Sequence, residues 1–306
     1  MIKFILKRFL ELIPVLLISI TVVFFLIRLA PGGPFTSEKS FTPEAMARLN
    51  EHYGLDKPIM VQYGNYLLNL LKGDLGPSFQ YPSRSVNDII KESFPVSLEL
   101  GALAMLFALT VGLLAGIVAS LKPNSVQDHL PMGLAMTGIC MPSFVLGPLL
   151  ILIFALWFGW FNASGWELPI DRVLPVITLG ASYAAYIARL TRGSMLETLP
   201  ADFIRTARAK GLSETNVIYK HTLKNAILPV VSYLGPATAG IITGSFVVES
   251  IFNIPGMGRM FVLAAFNRDY TLIMGLVVFF ALLVVVFNAA VDILLGLLNP
   301  KLRMHA

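Results

Sequence analysis

Charge is scarce in this sequence. Only 13% of its 306 residues are Asp, Glu, Lys or Arg, where a soluble domain carries about a quarter. That excludes an independent aqueous globule, and the 56% hydrophobic content is laid out in runs long enough to cross a bilayer. Cys140, the one cysteine, sits inside an apolar run; it excludes an intrachain disulfide and leaves the redox compartment undetermined. His52, His129, His221 and His305 are scattered and form no metal-ligand spacing. There is no Gly-Lys dipeptide, hence no Walker-type phosphate loop, and neither a G-x-S-x-G elbow nor an H-E-x-x-H helix. Carboxylates are missing where a proton-driven carrier needs them, near the middle of a span: Glu11, Glu99 and Asp292 all fall within a few residues of a run's end. No catalytic residue and no metal ligand can be named. The chain reads as non-catalytic, with no cofactor bound directly: a pathway without an engine of its own.

What is abundant is apolar sequence. Phe9–Ile27 is flanked by Lys7, Arg8 and Arg28, and about twenty residues at 1.5 Å each span the roughly 30 Å of a bilayer core. A cleaved signal peptide is the rival reading, but no A-x-A site follows, so the run is taken as an anchor. Further runs cover Val96–Leu121, Leu130–Trp160, Val173–Arg189, Ala226–Val248 and Thr271–Leu298. The third is over-long and interrupted by Pro142 and Pro148, which predicts a kink or a shorter span. The fold class expected is an all-α polytopic membrane protein with six transmembrane helices. With the N-terminus inside, Lys3, Lys7, Arg8, Lys122, Arg189, Arg192, Arg205, Arg208, Lys210, Lys220, Lys224, Lys301 and Arg303 become cytoplasmic, as do both termini. Membrane orientation explains the net charge of +5 more simply than nucleic acid does, and no nucleic-acid partner is expected.

Ala30–Phe94 holds no span. Thr42-Pro43-Glu44 opens a short helix ending at Gly54, with Met46, Leu49 and Tyr53 on one side. Ile59, Tyr63, Tyr66, Leu67 and Leu70 repeat at helical spacing up to Gly73. Ser85-Val86-Asn87-Asp88 has the form of a capping box for a third short helix. These helices make a small extramembrane layer at the bilayer surface, too poor in core residues to stand alone. The chain divides into an N-terminal helix with this layer, 1–95, and a transmembrane domain, 96–299, containing a polar loop at 190–225.

That loop is the most distinctive stretch. Pro200 suits a first-turn position. Phe203, Ile204 and Ala207 form a narrow apolar face, Gly211 stands where a helix closes in the left-handed region, and Leu212 is the hydrophobic partner of such a cap. Ser213 with Glu214 opens a second helix running towards Pro229.

Arg205-Thr206-Ala207-Arg208-Ala209-Lys210-Gly211-Leu212, then His221, then Asn225-Ala226-Ile227-Leu228-Pro229 resembles the cytoplasmic loop of ABC importer permeases, most of all the peptide/nickel branch. Arg205 and Thr206 stand where the broader family's EAA–G pattern has Glu and Ala. Arg28-Leu29-Ala30-Pro31-Gly32-Gly33-Pro34-Phe35, Gly73-Asp74-Leu75-Gly76-Pro77-Ser78, the run from Glu249 to Gly258, and Asn299-Pro300-Lys301 are similar to the same branch. The first of these, with Phe79 and Ser85–Asp88, is similar to the B-type subunit of oligopeptide importers.

The resemblance implies a type I ABC importer permease fold in a bacterial inner membrane. It also implies partners: a second, C-type permease, two ABC ATPase subunits that hold ATP and Mg, and a peptide-binding protein, with an oligopeptide as substrate. Asp202, Arg205, Thr206, Ala207, Arg208, Ala209, Lys210, Gly211, Leu212 and His221 are then the loop that couples to the ATPase. The alternative for that loop is a helix lying on anionic membrane lipid. Import of dipeptides, nickel or glutathione keeps the architecture and changes the cargo. An autonomous secondary carrier and a membrane enzyme are the readings from other classes.

Gly112-x-x-x-Gly116 and Gly240-x-x-x-Gly244 permit close helix approach, within this chain or onto a second permease. Gly240, Gly244 and Ser245 lie on a small-residue face that suits either a substrate path or helix packing. Pro255 and Gly256, in a stretch that cannot continue a helix, suit either a gate or an ordinary turn. Arg189 and Arg192 read as snorkelling cations, and Asn288 with Asp292, at i and i+4, as an interhelical hydrogen-bonding pair.

Overall fold

A computed structural model describes residues 2–29, 33–35, 43–81 and 83–298. Ala30–Gly32 and Asn299–Lys301 of the stretches singled out above lie outside the described residues, as do the side chains of Glu11, Met46 and Asp292 and the surroundings of Gly244. Among the described residues every regular element is a helix, apart from one bridge pairing Pro77 with Ser85.

The chain starts with α1 (Ile2–Leu29), α2 (Pro43–His52) and α3 (Ile59–Leu71). Gly54 and Gly73 follow α2 and α3 at φ +65° and +77°. Next comes α4 (Val86–Leu121). The expectation of a short helix after Ser85 and a separate span from Val96 is corrected here: the two are one helix of 36 residues running through Pro95. The capping box does form, with the Ser85 hydroxyl accepting from the Asp88 amide at 3.1 Å and Asp88 Oδ2 accepting from the Ser85 amide at 3.3 Å. The first turn it fixes is buried: Val86, Ile89 and Ile90 pack against Leu272 and Leu276, and that packing carries the helix across its proline.

The third run is broken at Met141-Pro142. α5 (Val126–Cys140) meets α6 (Ser143–Leu150) and its π-helical extension Ile151–Trp157 at 110°. A short 3₁₀ turn, Pro169–Arg172, then leads into α7 (Val173–Thr198). The polar loop folds as α8 (Asp202–Ala209), α9 (Glu214–Asn216), a π-helical turn Val217–Thr222 and α10 (Leu223–Ala226). α11 (Leu228–Ile251) continues from it after a bend of 51°. α12 (Met257–Phe266) and α13 (Tyr270–Leu298) complete the order. α4, α7 and α13 are each long and apolar enough to cross a membrane, and the two bent pairs reach that length jointly. That makes up to five spans among the described residues; α1, of which Ile13–Leu29 counts as a shorter apolar helix, stands at the place of the sixth segment expected.

Lipid tails are as apolar as leucine, so helices in a bilayer associate through close packing rather than the hydrophobic effect. The glycines of α4 show where that happens. A Cβ on Gly116 would stand 2.6 Å from the Ala188 carbonyl oxygen, and one on Gly112 would stand 2.7 Å from that of Ala184. Gly180 of α7 replies against the Ala104 oxygen at 2.8 Å. The first G-x-x-x-G pair thus packs within this chain. Gly133 of α5 has nothing within 4 Å of an added Cβ. Gly116→Ala is therefore expected to cost about 1–3 kcal/mol through overpacking, whereas Gly133→Ala leaves stability unchanged or slightly raised. Thermal unfolding of the two purified variants in detergent checks the contrast.

Candidate functional site

The elbow after α7 is built as two short helices turned against each other. α8 closes with a Schellman arrangement: the Gly211 amide donates to the Arg208 carbonyl at 2.9 Å and the Leu212 amide to the Ala207 carbonyl at 3.4 Å. Gly211 makes this turn at φ +77°, with open space around it. Arg208 then reaches across the turn, its Nε 2.8 Å and its second guanidinium nitrogen 3.3 Å from the two oxygens of Glu214. Pro200 is not a first-turn residue; Ala201 is the N-cap, and Pro200 precedes it. Ser213 occupies the N-cap position of α9 without a side-chain cap bond.

Ile204 and Ala207 are buried on Val217. Phe203, expected on the same face, is 46% exposed, because at 100° per residue it points to the side of that contact. The outward ridge of α8 is Asp202, Thr206 and Ala209, flanked by Phe203 and Lys210 on one side and Arg205 on the other. Thr206 donates its hydroxyl to the Asp202 carbonyl at 2.9 Å, and Arg205 lies 3.6 Å from the Asp202 carboxylate, both groups in water. Leu212 is exposed, and His221 is half-buried in the π-helical turn, whose Thr222 hydroxyl donates to Val217 O at 3.0 Å. Ile218 and Leu223 seat the elbow on Ile117 of α4 and Met195 of α7, with Ala226 between them. A load on the outer face of α8 therefore bears directly on the ends of two spans.

Beside the elbow, Arg192 does not snorkel. Its Nε and one terminal nitrogen each approach an oxygen of Asp128 at 2.6 Å, tying α7 to the start of α5, and the Asn124 amide adds 2.9 Å to the same carboxylate. Asp128 is 2% exposed. Arg189 instead turns towards Met136 Sδ at 3.7 Å.

At the opposite end of the bundle Glu249, wholly buried, closes a latch that sequence reasoning missed. One oxygen accepts from Ser97 of α4 at 2.7 Å and Ser245 of α11 at 2.8 Å; the other accepts from the Arg259 amide at 2.9 Å, in the first turn of α12. Ser97 accepts in turn from the Met257 amide at 2.8 Å. Gly256, the N-cap of α12, is buried against this group; a Cβ there would meet Ser97 Oγ at 2.6 Å. Ser245 is thus engaged in the latch. Pro255 is exposed at its rim, beside a cavity of about 150 Å³ that Arg84 and Glu92 also line. The visible signal was a carboxylate one turn ahead of the helix-breaking Ile254-Pro255-Gly256.

Asp269 repeats the device before α13, accepting from the amides of Phe79 at 3.1 Å, Gln80 at 3.2 Å and Leu272 at 3.1 Å and from the Ser78 hydroxyl. Gly240 lies where a Cβ would stand 2.6 Å from the Tyr183 hydroxyl of α7, and Gly244 lies one turn further along α11. Gly235 faces Asn288, whose Oδ1 would stand 3.0 Å from an added Cβ. No three of His, Cys, Asp or Glu cluster as a metal site among the described residues.

The family model of the binding-protein-dependent transport system inner membrane component matches residues 108–304. The chain belongs to that family. An N-terminal companion model of the same transport systems matches residues 1–101. This permease is 52% identical to the oligopeptide transport system permease protein OppB of Haemophilus influenzae, over 99% of this chain and 100% of that one. It is 44% identical to the dipeptide transport system permease protein DppB of Bacillus subtilis, over 100% and 99%. Among solved structures it is similar to the inward-facing MetNI methionine ABC transporter, at TM-score 0.59 and 16% identity over 69% of this chain and 96% of that one. The architecture is that of a type I ABC importer permease, a multi-pass inner-membrane protein with a transport role.

Arg192→Gln is expected to destabilise this permease by leaving the Asp128 carboxylate enclosed without its cation. Adding Asp128→Asn should recover part of the loss. Thermal midpoints of both single variants and the double variant give the coupling directly.

Proposed function

We propose that this permease imports oligopeptides as one of two unlike membrane subunits, driven by ATPase subunits that dock on α8. The observation that carries the reading is the mounting of α8. Its buried side is its own core with Val217, its turn is held by the Schellman bonds and the Arg208–Glu214 pair, and its seat is the joined ends of α4 and α7. Such a helix moves as a unit. It presents small Thr206 and Ala209 to close backbone approach, and Phe203, Arg205 and Lys210 around them to a pocket with carboxylates or helix C-termini. A helix resting on lipid would instead turn its broad apolar side outward, and here that side is spent internally.

In this reading the elbow and both termini are cytoplasmic, as the thirteen basic residues assigned to that side favour. ATP and Mg are held by the two ATPase subunits, a C-type permease completes the pore, and a peptide-binding protein delivers cargo to the latch end. Closure of the ATPases tilts α4 and α7 together, and the Ser97–Glu249 latch between α4 and α11 is the contact that such tilting strains first. The name of the relatives at 52% identity supports oligopeptides; the dipeptide name of the Bacillus subtilis relative supports a shorter cargo with the same mechanism.

Gly211→Val would force a side chain into the left-handed region at a cost of about 1–2 kcal/mol and tilt α8 on its seat. In the reconstituted complex, uptake should fall while loaded binding protein ceases to stimulate ATP hydrolysis; intact coupling would count against the elbow. Uptake of labelled peptides of graded length, in cells lacking this chain and then supplied with it, should favour peptides longer than two residues. Restoration of dipeptide uptake alone would select the second cargo.

A further inference from the structure

We propose that α3 is a membrane-interface helix whose outer side is covered by the acyl chains of the lipid leaflet at the latch end. The proposal rests on α1 spanning the bilayer and is independent of cargo and of the ATPase partners.

Ile59–Leu71 contains no Asp, Glu, Lys or Arg. Its thirteen residues measure about 20 Å, too short for a 30 Å core, so the helix lies along the membrane rather than across it. At 100° per residue its side chains fall on three separate arcs. Tyr63, Tyr66 and Leu70 form the packed arc. Tyr63 meets Phe24 at 5.1 Å between ring centroids and shares a 2.6 Å hydrogen bond with Thr21, Tyr66 meets Phe24 at 6.4 Å, and Leu70 joins the cluster of Leu75 and Leu276. Gln62, Asn65 and Asn69 form the polar arc, opening on a cavity of about 330 Å³ beneath Tyr53 and Phe79. The remaining arc is apolar and uncovered: Met60 is 68% exposed, Leu68 58% and Leu71 85%, with Gly64 between them in open space.

An exposed leucine alone says little. Here depth and continuity identify the occupant. Phe24 lies five residues before the last residue of α1, about 7 Å along its axis, and Thr21 lies deeper still, so α3 is pinned below the end of a spanning helix. The uncovered arc is the same kind of surface that α1 presents with Ile18, Val22 and Leu26. Exposed Lys57 and Lys72 bracket α3 just beyond its ends, where lipid phosphates would meet them. A lipid surface satisfies all of these features; water leaves the apolar arc unexplained.

The test places a nitroxide at Met60, Leu68 or Leu71, and separately at Asn65 or Asn69, each as a single cysteine in a Cys140→Ser background. The full chain is reconstituted in vesicles of phosphatidylethanolamine and phosphatidylglycerol. Collisions with oxygen, which partitions into lipid, are compared with collisions with a water-soluble nickel chelate. The apolar positions should show a ratio several-fold in favour of oxygen, and the two asparagine positions the reverse. Equal ratios on both arcs would place the apolar side in water and overturn the proposal. Shielding of the apolar arc from both reagents would mean that protein covers it, and would overturn it equally. Leu71→Trp provides a second measurement: its fluorescence should be quenched by lipids brominated near the headgroup, and lack of quenching in a correctly sized, folded sample would refute lipid contact.

Discussion

α4 and α7 come so close that a methyl group will not fit between them, and the rest of the bundle is arranged around that contact. Gly112 and Gly116 on one side and Gly180 on the other bring each backbone to within van der Waals reach of its neighbour's carbonyl oxygens. In lipid, where burying a leucine against protein gains little over burying it in acyl chains, dispersion across such a seam is the available adhesive. Bulkier residues would hold the helices apart and forfeit it. The seam also makes the two spans mechanically one. α4 carries Ser97 of the latch near one end and Ile117 near the other, and α7 runs to Met195 beneath the elbow.

The breaks in the fold lie elsewhere. α5 and α6 part at Met141-Pro142, the π-helical stretches Ile151–Trp157 and Val217–Thr222 loosen the backbone ladder, and α11 leaves the elbow at 51°. In the π-helical turn of the elbow the Thr222 hydroxyl supplies an extra hydrogen bond to the Val217 carbonyl. α4 and α7 thus form a tightly joined pair among interrupted helices.

Much of this could be read from the residues. The apolar runs gave six segments, the capping box at Ser85 and the left-handed close at Gly211 are where local chemistry put them, and Pro142 does break its run. What failed was reasoning from one residue without its partners. The break expected between the short helix after Ser85 and the span from Val96 does not occur, because the packing of Val86, Ile89 and Ile90 on α13, invisible in a local window, carries α4 through Pro95. Arg192 looked like a snorkelling cation because its carboxylate lies 64 residues away. Phe203 is apolar yet exposed, because the inward arc of α8 is only wide enough for Ile204 and Ala207. The burial of Glu249 is not legible from its neighbours in sequence, since a carboxylate near a span's end ordinarily reaches for water.

Glu249 and Asp269 reveal an asymmetry between the two ends of the molecule. Both are fully buried, and both are stabilised by backbone amides and serine hydroxyls, aimed into the first turns of α12 and α13. Bonds of this kind are strong and depend on geometry: a displacement of an ångström leaves a desolvated carboxylate short of donors. At the elbow the pairs Asp202–Arg205 and Arg208–Glu214 stand in water, where each contributes little. The rigidity of the turn rests mainly on its Schellman bonds and the core of Ile204, Ala207 and Val217, and the buried carboxylate at that end, Asp128, is paired with an arginine. The latch end is therefore the one whose buried carboxylates depend on backbone amides at the starts of two helices. The α4–α7 seam connects the elbow to the Ser97–Glu249 contact, so that contact is the part of the latch end most directly exposed to any change in the angle of α4.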